Sequence, residues 1–376
     1  MKLHIFNPEH DLALAANQSN YTAPHAGRQL HKDLAFIPAL WADENDFVLV
    51  DDIDDAYDKV RHLGAIYNKV EFITPLQLSE VFKNTMLIDS IHPWGWDLAL
   101  VSQLKRLGCP EIMLPTADLL AQLREVSGRR WAAEHLQQDV EFVTDEESLR
   151  CAIERRGKAV VKSPWSSSGR GVKYVASPSA LSESNDGKLV APNLEDTIRW
   201  AVKVMKQQGG VTVEPFYNKV KDFGMEFEMK DGKVNYRGLS LFETIKGAYT
   251  GNLLATEKEK ETVLRNYINI EHLRNMREVM VEKIEPVLKN LYSGPFGIDM
   301  MIYADEEGEL LVNPCVELNL RRTMGHVALD LGLSEKSSLH LMRVEYDGNR
   351  YHLRVMPANL PRMLQCTDYL DSFLLL

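Results

Sequence analysis

Apolar residues fall in short runs separated by longer amphipathic stretches over residues 1–115, the pattern of strands alternating with helices. The runs at 3–6, 47–50, 70–73, 86–88 and 112–114 read as strands. Between the last two, Leu98, Val101, Leu104 and Leu107 step by three along one helix face. This rhythm predicts a small open α/β domain with a parallel sheet. From 116 to 217 the pattern predicts a helix at 131–136, strands at 159–162 and 172–175, and a polar surface loop at 177–193. Residues 218–345 carry strands at 225–229 and 234–242, then a long helix whose face is Leu273, Met276, Met280, Ile284, Val287 and Leu291, then another strand pair. A closing hairpin, 343–346 with 351–355, turns through Asp347-Gly348-Asn349 and opens a C-terminal hairpin and tail at 346–376. The fold class is therefore α/β, with α+β character after residue 115.

Composition narrows the classes. With 45% hydrophobic residues in 376, the chain has enough apolar material for two or three packed domains rather than extended disorder. A formal net charge of −11 argues against a nucleic-acid binder, which needs a basic face, so any phosphate site is local. The four cysteines, Cys109, Cys151, Cys315 and Cys366, form no CxxC pair, which fits a reduced compartment. Charged Glu9, His10 and Asp11 interrupt the N-terminal apolar run before it reaches signal-peptide length, and no segment reads as a membrane span. A cytoplasmic protein acting on small molecules is the expectation, with pairing of two copies left open.

Three segments carry chemistry. In VELNLRRTMG (316–325), Glu317, Asn319 and Arg321 alternate, so an extended chain puts a carboxylate, an amide and a guanidinium on one face within roughly 13 Å. Magnesium takes the oxygens and a guanidinium takes phosphate. In KAVVKSPWSSSGRGVKYV (158–175), Lys162 ends a strand before a serine- and glycine-rich turn whose backbone N–H groups suit an anion, although no Walker loop is present. VTVEPF (211–216) offers a strand edge to a base, and Asp222 follows at a distance suited to ribose hydroxyls. Asp299, between Ile298 and Met300 in a strand that should pair with the one leading to Glu317, needs a partner and completes an oxygen set with Glu317 and Asn319.

The order of these elements, a lysine before a glycine-rich hairpin, V-E-P-F, an acidic strand residue and E-x-N-x-R, resembles the ATP-grasp superfamily across about 116–330, and its carboxylate–amine ligases in particular. The resemblance implies a pre-ATP-grasp domain at 1–115 that forms part of the substrate site, a first lobe at 116–217 and a second lobe with the metal site at 218–345. It implies ATP and Mg2+ as cofactors, with a carboxylate activated as an acyl phosphate and attacked by an amine of amino-acid or peptide-like type. By resemblance, Lys162 contacts the α and β phosphates, and Ser166, Ser167, Ser168, Gly169 and Gly171 cover them. The backbone of Glu214, Pro215 and Phe216 reads adenine, and Asp222 holds the ribose. Asp299, Glu317 and Asn319 bind magnesium, and Arg321 stabilises the transferred phosphoryl.

Departures from the family pattern set further expectations. Where many members have a phosphate-binding lysine this chain reads Ser127-Gly128-Arg129-Arg130, so Arg130, or else Arg129, takes that role. The 18-residue separation between Asp299 and Glu317 requires a bulge at Asn313-Pro314. No arginine precedes Asp299 closely, which leaves Arg322, His326, His10 and Arg28 as substrate contacts. The first βα turn (7–11) suits either a ligand or helix capping, and 246–256 suits either a mobile cover or a crossover. Two other readings stay open: a small-molecule kinase that stops at phosphorylation, and a nucleotide-binding regulatory protein without turnover.

Overall fold

The computed structural model describes residues 1–63, 69–84, 87–166, 171–177, 194–245, 248–331 and 339–358. The N-terminal unit is a parallel sheet of β1 (Lys2–Ile5), β2 (Phe47–Leu49), β3 (Glu71–Ile73) and β4 (Ser90–Pro93) in the order β3-β2-β1-β4. Helices α1 (His10–Ala16), α2 (His25–Leu34), α3 (Ile53–Leu63), α4 (Pro75–Asn84) and α5 (Leu98–Arg106) connect and flank it. The α/β expectation holds here, with two corrections. The strand expected at 86–88 lies at β4, because the chain meets β1 only where the Asp89 N–H donates to the Met1 carbonyl; Met86 itself lies outside the described residues. The strand expected at 112–114 is a 3-10 turn, Glu111–Met113, whose N–H groups fold back after Pro110 and leave Ile112 95% exposed.

A second sheet, antiparallel and ordered β5-β8-β6-β7, comprises β5 (Glu141–Val143), β6 (Lys158–Lys162), β7 (Val172–Ala176) and β8 (Val211–Pro215). Helices α8 (Glu146–Arg156) and α9 (Leu194–Gln208) bury Leu149, Ile153, Ile198 and Ala201 against it. The intervening α6 (Ala117–Val126) and α7 (Arg129–His135) place Leu123, Val126, Trp131 and Leu136 in a different core, that of the third sheet.

That third sheet is antiparallel β10-β9-β13-β14, made of β9 (Asn218–Lys230), β10 (Lys233–Ser240), β13 (Gly294–Ala304) and β14 (Leu310–Asn319). Phe223, Met225, Phe227, Phe296 and Ile298 alternate inward against α10 (Glu257–Leu264) and α11 (Ile270–Leu288). The opposite face of the same strands is therefore free to carry polar side chains.

The fourth sheet, β11 (Phe242–Ile245), β12 (Ala248–Leu254), β15 (His340–Tyr346) and β16 (Tyr351–Pro357), contains the expected hairpin, with Tyr346 opposite Tyr351. A boundary at 345/346 would cut β15 just before its last residue, and β15 pairs with β12, so the hairpin belongs to this sheet rather than to a separate tail. Leu254, Met342 and Leu353, with Val327 of α12 (Met324–Asp330), share one core with Leu34, Ile37, Val48 and Phe72 of the N-terminal unit. No helix among the described residues is long and apolar enough to cross a membrane.

Candidate active site

The polar face of the third sheet is organised by register. Gly224 on β9 stands opposite Asp299 on β13, which stands opposite Glu317 on β14. One step along, Glu226 faces Gly297, which faces Asn319. Between the pairs Asp299↔Glu317 and Met301↔Asn313, β13 advances two residues while β14 advances four. The bulge that the sequence requires at Asn313-Pro314 is thus present in β14, and it re-aims Glu317 across from Asp299. Asn319 Nδ2 donates to Asp299 Oδ2 at 3.0 Å.

Burial pushes the Asp299 carboxyl up to about 8, and the negative charges of Glu317 and Glu226 push in the same direction. Neighbouring carboxylates thus disfavour the ionised form of Asp299, a condition that a divalent cation between Asp299 and Glu317 would relieve. Two carboxylates and an amide carbonyl are hard oxygen donors of the kind magnesium takes. Two carboxylates and one amide are fewer donors than magnesium's octahedron takes, so the set fits a cation shared with a ligand's own oxygens.

Arg129, the first residue of α7, is 6% exposed and joins two sheets. Its Nη1 donates to the Ser163 carbonyl at 2.7 Å and to Ser166 Oγ at 2.9 Å, and its Nη2 donates to Glu317 Oε1 at 2.7 Å. Arg130, named from sequence for the phosphates, is instead exposed: it pairs with Glu134 one helical turn on and stacks over Phe142. Adjacent helical residues point about 100° apart, so only one of the two arginines can enter the site.

On the second sheet Lys162 Nζ lies 2.6 Å from Glu214 Oε2, both side chains being buried, while Glu214 Oε1 has no partner. Ser163 N–H donates to the Gly171 carbonyl and closes the hairpin; Ser167, Ser168 and Gly169 lie outside the described residues. Pro215 ends β8, and the Phe216 ring sets its edge against Tyr174. Asp222 lies on the same face of β9 as Glu226 and accepts from Thr244 Oγ1 at 2.8 Å and from Lys219.

A cleft of about 450 Å³ runs over this face. It starts at the first βα turn, beyond the carboxyl end of β1, where Pro8, Glu9 and Asp11 line it, and it ends against Tyr249 and Asn252 of β12. Arg321 reaches back to Asp11 with two bonds, of 2.9 and 2.7 Å, so the N-terminal unit is tied to the end of β14. The four expected substrate contacts lie elsewhere or are committed. Arg322 pairs with Asp330 at 2.7 Å and stacks 4.2 Å over Trp41, because it points opposite to Arg321. Both His326 ring nitrogens are engaged: Nε2 donates to the Phe227 carbonyl, and Nδ1 receives the Thr323 N–H at the start of α12. Arg28 donates to the Ala23 carbonyl and does not line the main cleft. His10, also off the main cleft, is buried against Asp97 at 3.2 Å, while its neighbours Glu9 and Asp11 take the cleft wall.

Sequence reasoning missed Glu226, Asp11 as the partner of Arg321, and Asn252. Glu226 had a readable signal: an acid between inward-facing Met225 and Phe227 carries the same argument that marked Asp299. Asp11 and Asn252 gave none, since each comes to the cleft only through contacts with elements far away in sequence.

No family model matches the sequence, and no curated protein matches it. Solved structures of similar chain path include N5-carboxyaminoimidazole synthetase from Staphylococcus aureus complexed with ADP, at 14% identity and TM-score 0.46, covering 93% of this chain and 83% of that one. An Archaeoglobus fulgidus protein provisionally assigned to the ATP-grasp superfamily covers 96% of this chain and 100% of its own, at 12% identity and TM-score 0.48. L-amino acid ligase from Bacillus licheniformis covers 87% and 68%, at 14% identity and TM-score 0.41.

Proposed function

We propose that this protein is an ATP- and magnesium-dependent ligase that activates a carboxylate as an acyl phosphate and joins it to an amine. The observation that carries this reading is the Arg129 bridge: one guanidinium holds the mouth of the serine-rich hairpin, through Ser163 and Ser166, against Glu317 on the acid face. A polyphosphate lying between hairpin and sheet would meet backbone N–H groups, Lys162 and Arg129 on one side and the Asp299, Glu317 and Asn319 oxygens on the other. Bound magnesium supplies charge neutralisation at the phosphoryl oxygens. The protein groups do the rest. The strand edge 214–216 receives the base, Asp222 takes the ribose hydroxyls, and Arg129 positions the phosphates as a planar fork. Arg321, held by Asp11, is aimed at the reacting end of the cleft and stabilises charge on the transferred group. No nucleophilic side chain is needed, because a carboxylate substrate is its own nucleophile toward the γ-phosphoryl. Residues 1–115 supply one wall of the acceptor site through Pro8, Glu9 and Asp11.

The test is incubation with ATP, magnesium and a panel of carboxylic acids, with hydroxylamine as trap. Acyl hydroxamate together with ADP and phosphate supports the ligase. A stable phosphorylated product would assign a kinase instead, and nucleotide binding without ADP across the panel would assign a regulatory protein.

A further inference from the structure

The cleft wall on β9 holds a carboxylate that the nucleotide and metal assignments leave unused. Glu226 is 3% exposed, lines the cleft, and has its Oε2 buried without a hydrogen-bond partner. His326 Nδ1 is 3.0 Å from that oxygen, yet it already receives the Thr323 N–H, and the other ring nitrogen is committed to the Phe227 carbonyl. The buried Lys260 donates to the Leu239 carbonyl at 2.8 Å. The two guanidinium groups of the cleft go to Glu317 and Asp11. A buried carboxylate oxygen left without a hydrogen bond is costly, and such a group is kept where a ligand's donor supplies what it lacks.

The backbone around it makes room for this carboxylate: a Cβ on Gly325 would lie 1.8 Å from Glu226 Oε1, and one on Gly297 would lie 2.5 Å from Oε2, so glycine at both positions lets Glu226 stand at the cleft wall. Ser240 Oγ is 2.6 Å from the same Gly325 position. A chain of donors ends there, Tyr249 Oη to Asn252 Oδ1 at 2.6 Å and Asn252 Nδ2 to Ser240 Oγ at 2.7 Å, which leaves the Ser240 hydroxyl oriented by its neighbours. All four residues, Glu226, Ser240, Tyr249 and Asn252, line the cleft.

Resting on the ligase reading above, we infer that Glu226 binds the ammonium group of a primary-amine substrate in its protonated resting form, with Ser240 and the Asn252–Tyr249 pair fixing its orientation. Glu226 and Asp299 are diagonal neighbours across β9 and β13, a separation of roughly 7–8 Å. An ammonium seated on Glu226 therefore stands within one small-substrate length of the activated carboxyl.

Two measurements on the full-length protein separate this inference from the reading it rests on. The first is binding: thermal shift and calorimetry with glycinamide, agmatine and propylamine, without nucleotide, on wild type and on the isosteric Glu226→Gln. Binding by the wild type that weakens about tenfold or more in the variant supports the site. No binding by the wild type, or equal binding by a variant that melts like the wild type, overturns it. Should Glu226→Gln fail to fold, Glu226→Asp serves, with the same expected weakening. The second is kinetic: hydroxylamine is uncharged near neutral pH, so Glu226→Gln should keep acyl-hydroxamate formation and magnesium dependence while the KM for primary amines rises about tenfold or more. Loss of hydroxamate together with altered magnesium dependence would make Glu226 a metal ligand and overturn the inference. If the wild type makes no hydroxamate with any acid, the ligase reading fails, and the binding measurement still decides whether Glu226 holds an ammonium.

Discussion

Two neighbouring arginines at the start of α7 have opposite environments, and the difference sets a sharp expectation. Arg129 spans from Ser166 to Glu317 with several bonds, whereas Arg130 sits in solvent beside Glu134. Arg129→Lys keeps the charge but loses the planar fork, and steady-state ADP formation should fall about 10²-fold or more. Arg130→Ala should stay within about twofold of wild type, since an exposed i,i+4 pair contributes little. Asp299 gives a pH signature. Burial pushes its carboxyl up to about 8 in the folded protein, against about 4 in an unfolded chain. The folded state thus holds a proton that the unfolded state releases, so this contribution to stability is full below about pH 4 and is lost as pH rises through 8. Thermal melts in EDTA should show the wild type losing stability relative to Asp299→Asn across that window. That Glu317 and Asn319 share one face was legible from strand alternation, and that Asp299 stands opposite Glu317 was legible from an acid between Ile298 and Met300 in a strand expected to pair with theirs. The choice of Arg129 over Arg130 was not, because it depends on the phase with which α7 docks.

At the level of elements, the bulge in β14 sets the geometry of the acid face. It absorbs two extra residues between the Asp299 and Met301 pairings and so brings Glu317 opposite Asp299. Removing Pro314 would shift the strand by one, and a one-residue slip turns side chains to the other face of a sheet. ADP formation by that deletion variant should be abolished while far-UV circular dichroism stays close to wild type. The periodicity of apolar residues located most strands, and the chain separation between the two acids alone called for this bulge. Failures came from triplets such as 86–88 and 112–114, which are too short for periodicity to speak: one is displaced by the register that β1 imposes, the other folds back after Pro110.

On the scale of the whole molecule, the Asp11–Arg321 pair connects the first helix to the end of β14. Both side chains are largely buried, at 20% and 18% exposure, so removing either one strands the other in a poorly solvated site. Urea unfolding of Asp11→Ala and of Arg321→Ala should each show a loss of about 1–3 kcal/mol. The double variant should cost less than the sum of the two, because partners in direct contact are coupled.

The core shared by the N-terminal unit with β12, β15, β16 and α12 has a further consequence for how the protein is made. A fragment of residues 1–115 would present Val48, Phe72 and Ile37 without the strands that cover them, so it should bind hydrophobic dyes and sediment as aggregate rather than as a folded monomer. During synthesis β1, β2 and β3 are made well before β12, β15 and β16, which complete their core. The N-terminal unit therefore carries an open seam until the hairpin of β15 and β16 has been made, so its maturation is paced by that hairpin rather than by its own synthesis.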